Sequence, residues 1–342
     1  LLAIITMKLL VTGGAGFIGS NFIRYWLETY RADSIVNYDA LTYAGCLESL
    51  NDVSQKYVDR YRFVKGDIRD YETVLSTLSN EHPDLIVNFA AESHNSRAVV
   101  NPGLFVDTNV VGTQRLLEAA RMARIPRVHH ISTCEVYGDL DLSSPESFSE
   151  DSPYRPKTPY NASKAAADMI VRAYHSTFNL PVTISNCANN YGPYQFPEKV
   201  IPHFAVKAMQ GEKLPLYRQS KNRREWIHVL DHCRAIDRIL KDGRIGETYN
   251  VGTGHEVDVE TIASRVLQFF KLDTDRKMYV PDRPGHDRRY LLNSAKLLRE
   301  LQWKPLVNFD EGIKQTLQWY VDHEGWWKPL LERLAINEQQ WK

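Results

Sequence analysis

The sequence predicts an α/β protein in which a doubly wound parallel sheet is followed by a smaller, mostly helical C-terminal lobe. Three observations support this fold class. Short apolar runs alternate with amphipathic stretches through the first half of the chain, as in parallel α/β sheets. A glycine-rich turn joins the first run to the first amphipathic stretch. The chain has 342 residues, more than the ~250–300 that one hydrophobic core serves, so we expect two lobes.

The first lobe contains six predicted strands, each a short run rich in aliphatic or aromatic residues. They cover residues 8–12, 34–38, 62–65, 85–89, 128–132 and 182–186. Helices are predicted between them wherever apolar residues recur with a period near 3.6. These helices cover residues 21–30, 71–80, 104–123 and 160–178.

The pattern changes after residue 191, where proline, glycine and aromatic residues cluster in GPYQFP. Helices then dominate, with short strands predicted near 247–251 and 277–279. We therefore predict one domain over residues 7–190, joined by a return strand near 247–252, and a second domain over residues 191–342.

Charge and hydropathy exclude two classes of function. Lys plus Arg and Asp plus Glu both number 42, for a formal net charge of +0, which argues against nucleic acid as the main partner. No uncharged apolar run approaches ~18 residues, so no membrane span is predicted.

The four cysteines are scattered without C-x-x-C spacing, at Cys46, Cys134, Cys187 and Cys233. This argues against a disulfide framework or a metal site and favours a cytoplasmic location. Residues 1–6 are apolar but lack the features of a secretory signal, so we expect Met7 to be the natural start.

A dinucleotide site is predicted at the turn after the first strand, where Gly13, Gly16 and Gly19 form G-x-x-G-x-x-G. Glycines there permit a tight turn, close approach of a diphosphate and close helix packing. Asp39 ends the next strand, about 20 residues further on, where a carboxylate would bind the adenosine ribose. No arginine follows it directly, which favours NAD over NADP. Asp67 after the third strand is either an adenine contact or a plain turn residue.

Tyr160 and Lys164 form Y-x-x-x-K on a predicted helix and therefore share one face. An ammonium group beside a phenol should lower the phenol's pKa, so that Tyr160 could accept a proton from a sugar hydroxyl. Thr133, just after the fifth strand, would share the hydrogen bond to the reacting oxygen.

These residues resemble the extended short-chain dehydrogenase/reductases and, within them, the dTDP-glucose 4,6-dehydratases over nearly the full length. The similar stretches are GGAGFIGSNF, YDALTYAG, GDIRD, NFAAESH, TCEVYG, YNASKAAAD, NNYGPYQFPEKVIP, RREWIHVLDH and RPGHDRRY. The resemblance implies a Rossmann domain that binds NAD and a C-terminal domain that binds a nucleoside diphosphate sugar.

The resemblance also implies a reaction. Oxidation at carbon 4 of the hexose acidifies the hydrogen on carbon 5, which Glu135 would remove as the base. Water then leaves from carbon 6, and hydride returns from the cofactor to carbon 6. Net redox change is zero, so the enzyme would be a lyase.

Three departures from the family pattern lie near this chemistry. Cys134 replaces the aspartate that serves as the general acid, while Asn95 and Ser96 are altered after His94. Asn186 stands where an arginine is usual. A thiol near its ordinary pKa of ~8.5 is protonated at neutral pH but donates only a weak hydrogen bond.

Cys134 is therefore a poorer acid, or Glu135 delivers the proton itself. A Cys-Glu pair also resembles the tunicamycin-pathway 5,6-dehydratase, which leaves an exo-glycal, and that reaction is the alternative. A nucleotide-sugar epimerase and a non-catalytic NAD-binding scaffold are further alternatives, although neither has a use for Glu135.

The resemblance and the glycine motif together imply the remaining site residues. The cofactor-binding residues are Gly13, Gly16, Phe17, Ile18, Gly19, Asp39, Thr42, Asp67, Ile68, Ala90, Ala91, Thr108, Tyr160 and Lys164. The substrate-binding residues are Ser93, His94, Asn190, Lys199, Val200, Pro215, Tyr217, Arg224, Arg283 and His286. The catalytic residues are Thr133, Cys134, Glu135, Tyr160 and Lys164.

The base of the nucleotide, thymine or uracil, and the kind of hexose stay open. We also expect a homodimer, because the helices predicted over 104–123 and 160–178 carry more apolar positions than one face against a sheet would use.

Overall fold

The strands of the larger lobe are short and largely apolar. In this computed structural model, which describes residues 6–218, 220–282 and 284–334, the strands have the following bounds. They are β1 (Lys8–Thr12), β2 (Ser34–Asp39), β3 (Tyr61–Lys65), β4 (Leu85–Asn88), β5 (Val128–Thr133), β6 (Val182–Cys187), β7 (Asn189–Tyr191), β8 (Leu214–Tyr217), β9 (Arg223–His228), β10 (Thr248–Val251), β11 (Glu256–Asp258) and β12 (Lys277–Val280).

The helices flank these strands. They are α1 (Phe17–Thr29), α2 (Asn51–Lys56), α3 (Tyr71–Glu81), α4 (Asn95–Val100), α5 (Pro102–Phe105), α6 (Thr113–Met122), α7 (Pro159–Phe178), α8 (Val200–Met209), α9 (Val229–Asp242), α10 (Val259–Phe269), α11 (Ala295–Leu301), α12 (Phe309–Asp322) and α13 (Glu324–Trp327). A π-helical segment covers Val106–Gly112, and short 3-10 helices cover Leu47–Leu50, Cys134–Tyr137, Thr274–Arg276 and Lys328–Arg333.

Seven strands form one parallel sheet in the order β3-β2-β1-β4-β5-β6-β10. The strand β10 comes back from the second half of the chain and pairs with β6. The chain order reverses between β1 and β4, and in such sheets the ligand crevice forms outside the carboxyl ends of the strands at this point. The predicted fold class is confirmed, whereas the domain limits at 7–190 and 191–342 stay predictions.

The two faces of the sheet have separate cores because alternate strand residues point to opposite faces. Leu10 of β1 packs in one cluster with Val171 of α7. Its neighbours Leu9 and Val11 pack on the other face with Phe22 of α1. Each such side chain contributes ~1.5–3 kcal/mol when fully buried, so the helices are fixed on both faces.

The second lobe has its own core, in which Phe204 of α8 and Val266 of α10 pack with Ile313 of α12. It also contains small sheets, β11-β9-β7 and β12-β8. Of its strands, the sequence indicated only the one near 277–279. The others are too short to show a period and depend on partners distant in the chain.

The predicted helix over 104–123 is wrong in detail, since the π-helical segment Val106–Gly112 separates α5 from α6. This segment carries Asn109, whose amide donates to the Glu92 carbonyl oxygen at 2.9 Å and to Ser163 Oγ at 2.9 Å. Insertions of this kind often occur near functional sites. Hydrophobic periodicity does not distinguish an α-helix from one with such an insertion.

Candidate active site

The glycine turn after β1 brings the start of α1 close to the strand ends. Gly13 has a φ of 68°, and a Cβ there would lie 2.6 Å from the backbone nitrogen of Ala90. A Cβ on Gly19 would lie 2.4 Å from the Gly13 carbonyl oxygen. Both positions therefore require glycine. The amide groups at the start of α1 suit a diphosphate, which fits a dinucleotide cofactor.

Asp39 lies at the end of β2 beside this turn. Its Oδ2 accepts a hydrogen bond from the Ala15 amide at 2.9 Å, and its Oδ1 accepts one from the Leu41 amide at 2.7 Å. Burial raises the pKa of Asp39, and these two amides oppose the rise. Each carboxylate oxygen retains acceptor capacity for ribose hydroxyls.

One cleft of about 830 Å³ extends from the glycine turn along the sheet edge into the second lobe. It brings together most of the residues that the sequence predicted for the site. Those in its wall are Gly13, Gly16, Phe17, Ile18, Gly19, Asp39, Thr42, Asp67, Ile68, Ala90, Ala91, Ser93, His94, Thr108, Thr133, Glu135, Tyr160, Lys164, Asn190, Lys199, Val200, Pro215, Tyr217, Arg224 and His286. Cys134 is not part of the wall among the described residues, and Arg283 lies outside them. The individual roles stay predictions.

Tyr160 lies buried in this wall, on the first turn of α7. Burial and the nearby Glu135 raise its pKa well above the ordinary phenol value, and a hydrogen bond with Thr133 opposes the rise. The expected lowering of this pKa by Lys164 is therefore wrong. Spacing places the two residues on one face of a helix, but it does not fix the direction in which the ammonium group turns.

The ammonium group of Lys164 turns toward β5. Its Nζ donates to the Ile131 carbonyl oxygen at 2.7 Å and lies 3.3 Å from Nε2 of His130. That ring nitrogen also lies 3.5 Å from Oδ1 of Asp168. All three side chains are buried. Burial lowers the pKa of Lys164 and raises that of Asp168 to about 6.

A hydrogen-bond chain connects this cluster to the glycine turn. Thr12 Oγ1 donates to Asn88 Oδ1 at 2.6 Å. The Asn88 amide nitrogen therefore faces Nδ1 of His130, 3.1 Å away. This arrangement assigns the ring proton to Nε2, on the side of Lys164 and Asp168.

Glu135 and Cys134 are neighbours in the chain but point to different surroundings. Glu135 lines the cleft, whereas Cys134 is only 1% exposed and belongs to an apolar cluster with Tyr137 and Ile227. Burial, reinforced by Glu135, raises the pKa of the Cys134 thiol well above its ordinary value. The thiol is thus protonated and lies outside the cleft wall.

The other departures also have defined contacts. Nδ2 of Asn95 donates to Oε2 of Glu135 at 2.8 Å. Asn186 is buried, and its amide donates to the hydroxyls of Tyr137 and Tyr154 at 2.8 and 3.2 Å. Only the contact of Asn95 with Glu135 reaches a predicted catalytic residue, and no local pattern in the sequence predicted that contact.

The second lobe supplies basic and aromatic groups to the far end of the cleft. Lys199, the residue before α8, donates from Nζ to the Ser93 carbonyl oxygen at 3.0 Å. The guanidinium carbon of Arg224 lies 4.8 Å from the ring centroid of Tyr290. The rings of Tyr217 and His286 are 5.1 Å apart. Such groups can recognise a nucleoside diphosphate.

A further cluster in the wall was missed by the sequence analysis. Tyr43 donates from its hydroxyl to Oε1 of Glu198 at 2.7 Å. The guanidinium carbon of Arg97 lies 3.5 Å from the Tyr43 ring centroid, and its Nε is 3.5 Å from Oε2 of Glu198. Glu198 lies within the NNYGPYQFPEKVIP stretch, and the resemblance of this stretch to the family was the sequence feature that could have indicated the cluster.

The described residues contain no group of three or more His, Cys, Asp or Glu side chains placed to hold a metal ion. In the same part of the chain, no helix is long and apolar enough to cross a membrane.

A nucleotide-binding turn, a Tyr160–Lys164 helix and Thr133 at the end of β5 define an extended short-chain dehydrogenase/reductase. The chain belongs to the GDP-mannose 4,6 dehydratase family, which matches residues 10–316.

Relatives of similar length agree with this assignment. The chain is 46% identical over 335 residues to the dTDP-glucose 4,6-dehydratase of Mycobacterium tuberculosis H37Rv, covering 98% of this chain and 99% of the relative. It is similar to the crystal structure of a dTDP-glucose 4,6-dehydratase from Streptomyces venezuelae with NAD and TYD bound. That match has a TM-score of 0.91 and 47% identity, and covers 95% of this chain and 100% of the other.

A UDP-glucose 4-epimerase from Thermus thermophilus in complex with NAD is more distant. Its TM-score is 0.85 with 29% identity, over 93% of this chain and 100% of the other.

Replacing Asp39 tests the cofactor end of the cleft. We expect Asp39→Ala to weaken NAD binding by about 10- to 100-fold, the effect of losing hydrogen bonds to a charged group. Discrimination against NADP should also decrease. Asp39→Asn is the matched control, because it keeps an acceptor for the turn amides but loses the charge. Calorimetric titration with both cofactors measures this, and an unchanged NAD/NADP ratio in Asp39→Ala would show that Asp39 only caps the turn.

Proposed function

We propose that this protein is an NAD-dependent dTDP-glucose 4,6-dehydratase, a hydro-lyase that converts a nucleoside diphosphate hexose to a 4-keto-6-deoxy sugar. One observation carries the proposal: Glu135 lies in the same cleft wall as Thr133, Tyr160 and Lys164, beside the glycine turn. An epimerase of this fold uses the tyrosine and lysine but has no use for the glutamate. The names of the full-length relatives support the same activity.

The first task of the residues is to move the proton of the carbon 4 hydroxyl. Tyr160 is the acceptor, and Thr133, which is hydrogen-bonded to it, holds the same oxygen. NAD, when bound, supplies a positive ring and a hydride acceptor that later returns the hydride. Burial and the nearby Glu135 raise the pKa of the Tyr160 phenol, and a positive ring bound beside it would oppose this rise.

The second task is elimination across carbons 5 and 6. Glu135 removes the carbon 5 proton as the general base, once the adjacent ketone has made it acidic. Lys164 stays fixed by its bonds to β5 and keeps the start of α7, and thus Tyr160, in place. We assign the nucleotide end of the substrate to Lys199, Arg224 and His286, because all three line the cleft.

Replacing Tyr160 tests the oxidation step. We expect Tyr160→Phe to lower kcat by about 10²–10⁴-fold, since the ring remains and only the proton acceptor is lost. NAD should remain bound at the wild-type level. The measurement is formation of 4-keto sugar from dTDP-glucose, with cofactor content determined after denaturation. Turnover like that of the unmodified protein would contradict the proposal.

A homodimer also belongs to the proposal. The faces of α6 and α7 expose large apolar side chains, with Met122 at 53%, Met169 at 46% and Phe178 at 48% exposure. Neighbouring exposed apolar side chains of this kind often mark an interface. The cytoplasmic location is supported by four free, buried cysteines.

Light scattering tests the dimer. The unmodified protein should have twice the 39.4 kDa mass of the chain at micromolar concentration, and Met169→Glu combined with Phe178→Glu should shift it to monomer. Leu306→Glu is the control, because Leu306 is 65% exposed on the loop before α12. A monomeric unmodified protein would contradict the dimer.

The second candidate is 5,6-elimination with hydride return to carbon 4, which leaves an exo-glycal. Cys134 beside Glu135 favours it, because the pair resembles that of the tunicamycin-pathway enzyme. The two reactions differ at carbon 5: the 4,6 route adds a solvent hydrogen there, whereas an exo-glycal has none.

Replacing Cys134 separates the two reactions. If the 4,6 route operates and Cys134 substitutes for the missing acid, Cys134→Asp should raise the elimination rate by about 10²–10⁴-fold, the contribution of a well-placed general acid. The product should remain a 4-keto-6-deoxy sugar with deuterium on carbon 5 when formed in deuterated water. Product NMR is the measurement, with Cys46→Asp as the control for a buried thiol elsewhere. An unsaturated product from the unmodified protein would favour the second candidate.

A further inference from the structure

Asn95 connects the candidate base to the helix that carries Tyr160. Nδ2 of Asn95 donates to Oε2 of Glu135 at 2.8 Å, and Thr158 Oγ1 donates to Oδ1 of Asn95 at 2.8 Å. Thr158 is buried and caps α7 by accepting a hydrogen bond from the Asn161 amide at 3.2 Å. The bridge therefore spans 63 residues of sequence and connects Glu135 in the cleft wall to the start of α7.

The direction of the Asn95 amide is fixed by these partners. A carboxylate only accepts hydrogen bonds, so Nδ2 must face Glu135. The Thr158 hydroxyl already accepts from the helix, which leaves its proton for Oδ1 of Asn95. Each hydrogen bond of the bridge thus runs from a donor to an acceptor, and the side chain of Glu135 is held in one orientation.

This orientation distinguishes the two carboxylate oxygens. Oε2 is engaged by Asn95, and no hydrogen bond from the described residues reaches Oε1. Oε1 is consequently the oxygen available to a substrate in the cleft.

The elimination also needs an acid at carbon 6. Cys134 is buried in an apolar cluster outside the cleft wall, and a thiol is a weak donor. Glu135 can meet the requirement alone. The carbon 5–hydrogen bond breaks, its electron pair forms the carbon 5–carbon 6 double bond, and the carbon 6–oxygen bond breaks. The same proton passes from carbon 5 to Oε1 and on to the departing hydroxyl, which leaves as water.

We propose that Asn95 is a positioning residue for elimination: its amide holds Glu135 by Oε2, so that Oε1 serves as both base and acid. The proposal rests on the proposed function, because it needs a substrate oxidised at carbon 4. It assigns a role to one of the positions at which this chain departs from its family.

The test separates oxidation from elimination in a single turnover. Asn95→Asp keeps the size of the side chain but removes the donor and places a second carboxyl group against Glu135. With dTDP-glucose, oxidation at carbon 4 should stay within about threefold of the parent, since Tyr160 and Thr133 are untouched. Elimination should slow by about 10- to 100-fold, the effect of losing one hydrogen bond to a charged group. NADH absorbance should therefore accumulate in the variant.

Asn101→Asp is the matched control, because Asn101 is exposed at the other end of α4 and its side chain only caps α5. It should show no accumulation of NADH. Asn95→Ser, which is too short to reach Glu135, should reproduce the accumulation and provides a second variant if Asn95→Asp does not fold.

The outcomes are distinct. Accumulation of NADH in either Asn95 variant, but not in Asn101→Asp, supports the proposal. If the unmodified protein is active but an Asn95 variant slows both steps equally, or leaves elimination unchanged, the role proposed for Asn95 is overturned. The proposed function then still stands. Absence of any carbon 4 oxidation by the unmodified protein overturns the proposed function and this inference with it.

Discussion

The buried ammonium group of Lys164 is the constraint on which the rest of the site depends. A charge removed from water is costly unless it is paired and hydrogen-bonded, and the partners of Lys164 are fixed in position. They are the Ile131 carbonyl oxygen on β5, which accepts a hydrogen bond from Nζ, and the carboxylate of Asp168 on α7 itself, whose negative charge acts on the ammonium group. To satisfy the charge, α7 must lie against β5 in one register. That register places Tyr160, one turn earlier, beside Thr133.

The same cluster links catalysis to the cofactor turn. Asn88 and Thr12 extend the hydrogen bonds from His130 across β4 to β1, and Thr12 directly precedes Gly13. Neighbouring parallel strands thus share one buried polar network at their carboxyl ends. Because every member is nearly excluded from water, a change in any one of them should disturb the others.

Local sequence was sufficient to predict the features whose signal is local. The six predicted strands of the first lobe and its helices α1, α3 and α7 follow from periodicity, and the Gly13–Gly19 turn with Asp39 follows from spacing. The short strands β7, β8, β9 and β11 could not be predicted, because their stability comes from partners far along the chain. The contact between Asn95 and Glu135 is of the same kind. The pKa of Tyr160 was predicted in the wrong direction, because burial outweighs the charge of a lysine that turns toward β5.

The changes at positions 134 and 95 can be understood together. The side chain at 134 lies among Tyr137, Ile227 and other apolar groups, where an ionised carboxylate would be costly. A thiol fills this position at little cost, since burial keeps it neutral. An aspartate would add an acid and lose stability, a common exchange between activity and stability at catalytic sites. With the thiol in place, proton transfer depends on Glu135, so the hydrogen bond from Asn95 that fixes this carboxylate becomes more important for elimination.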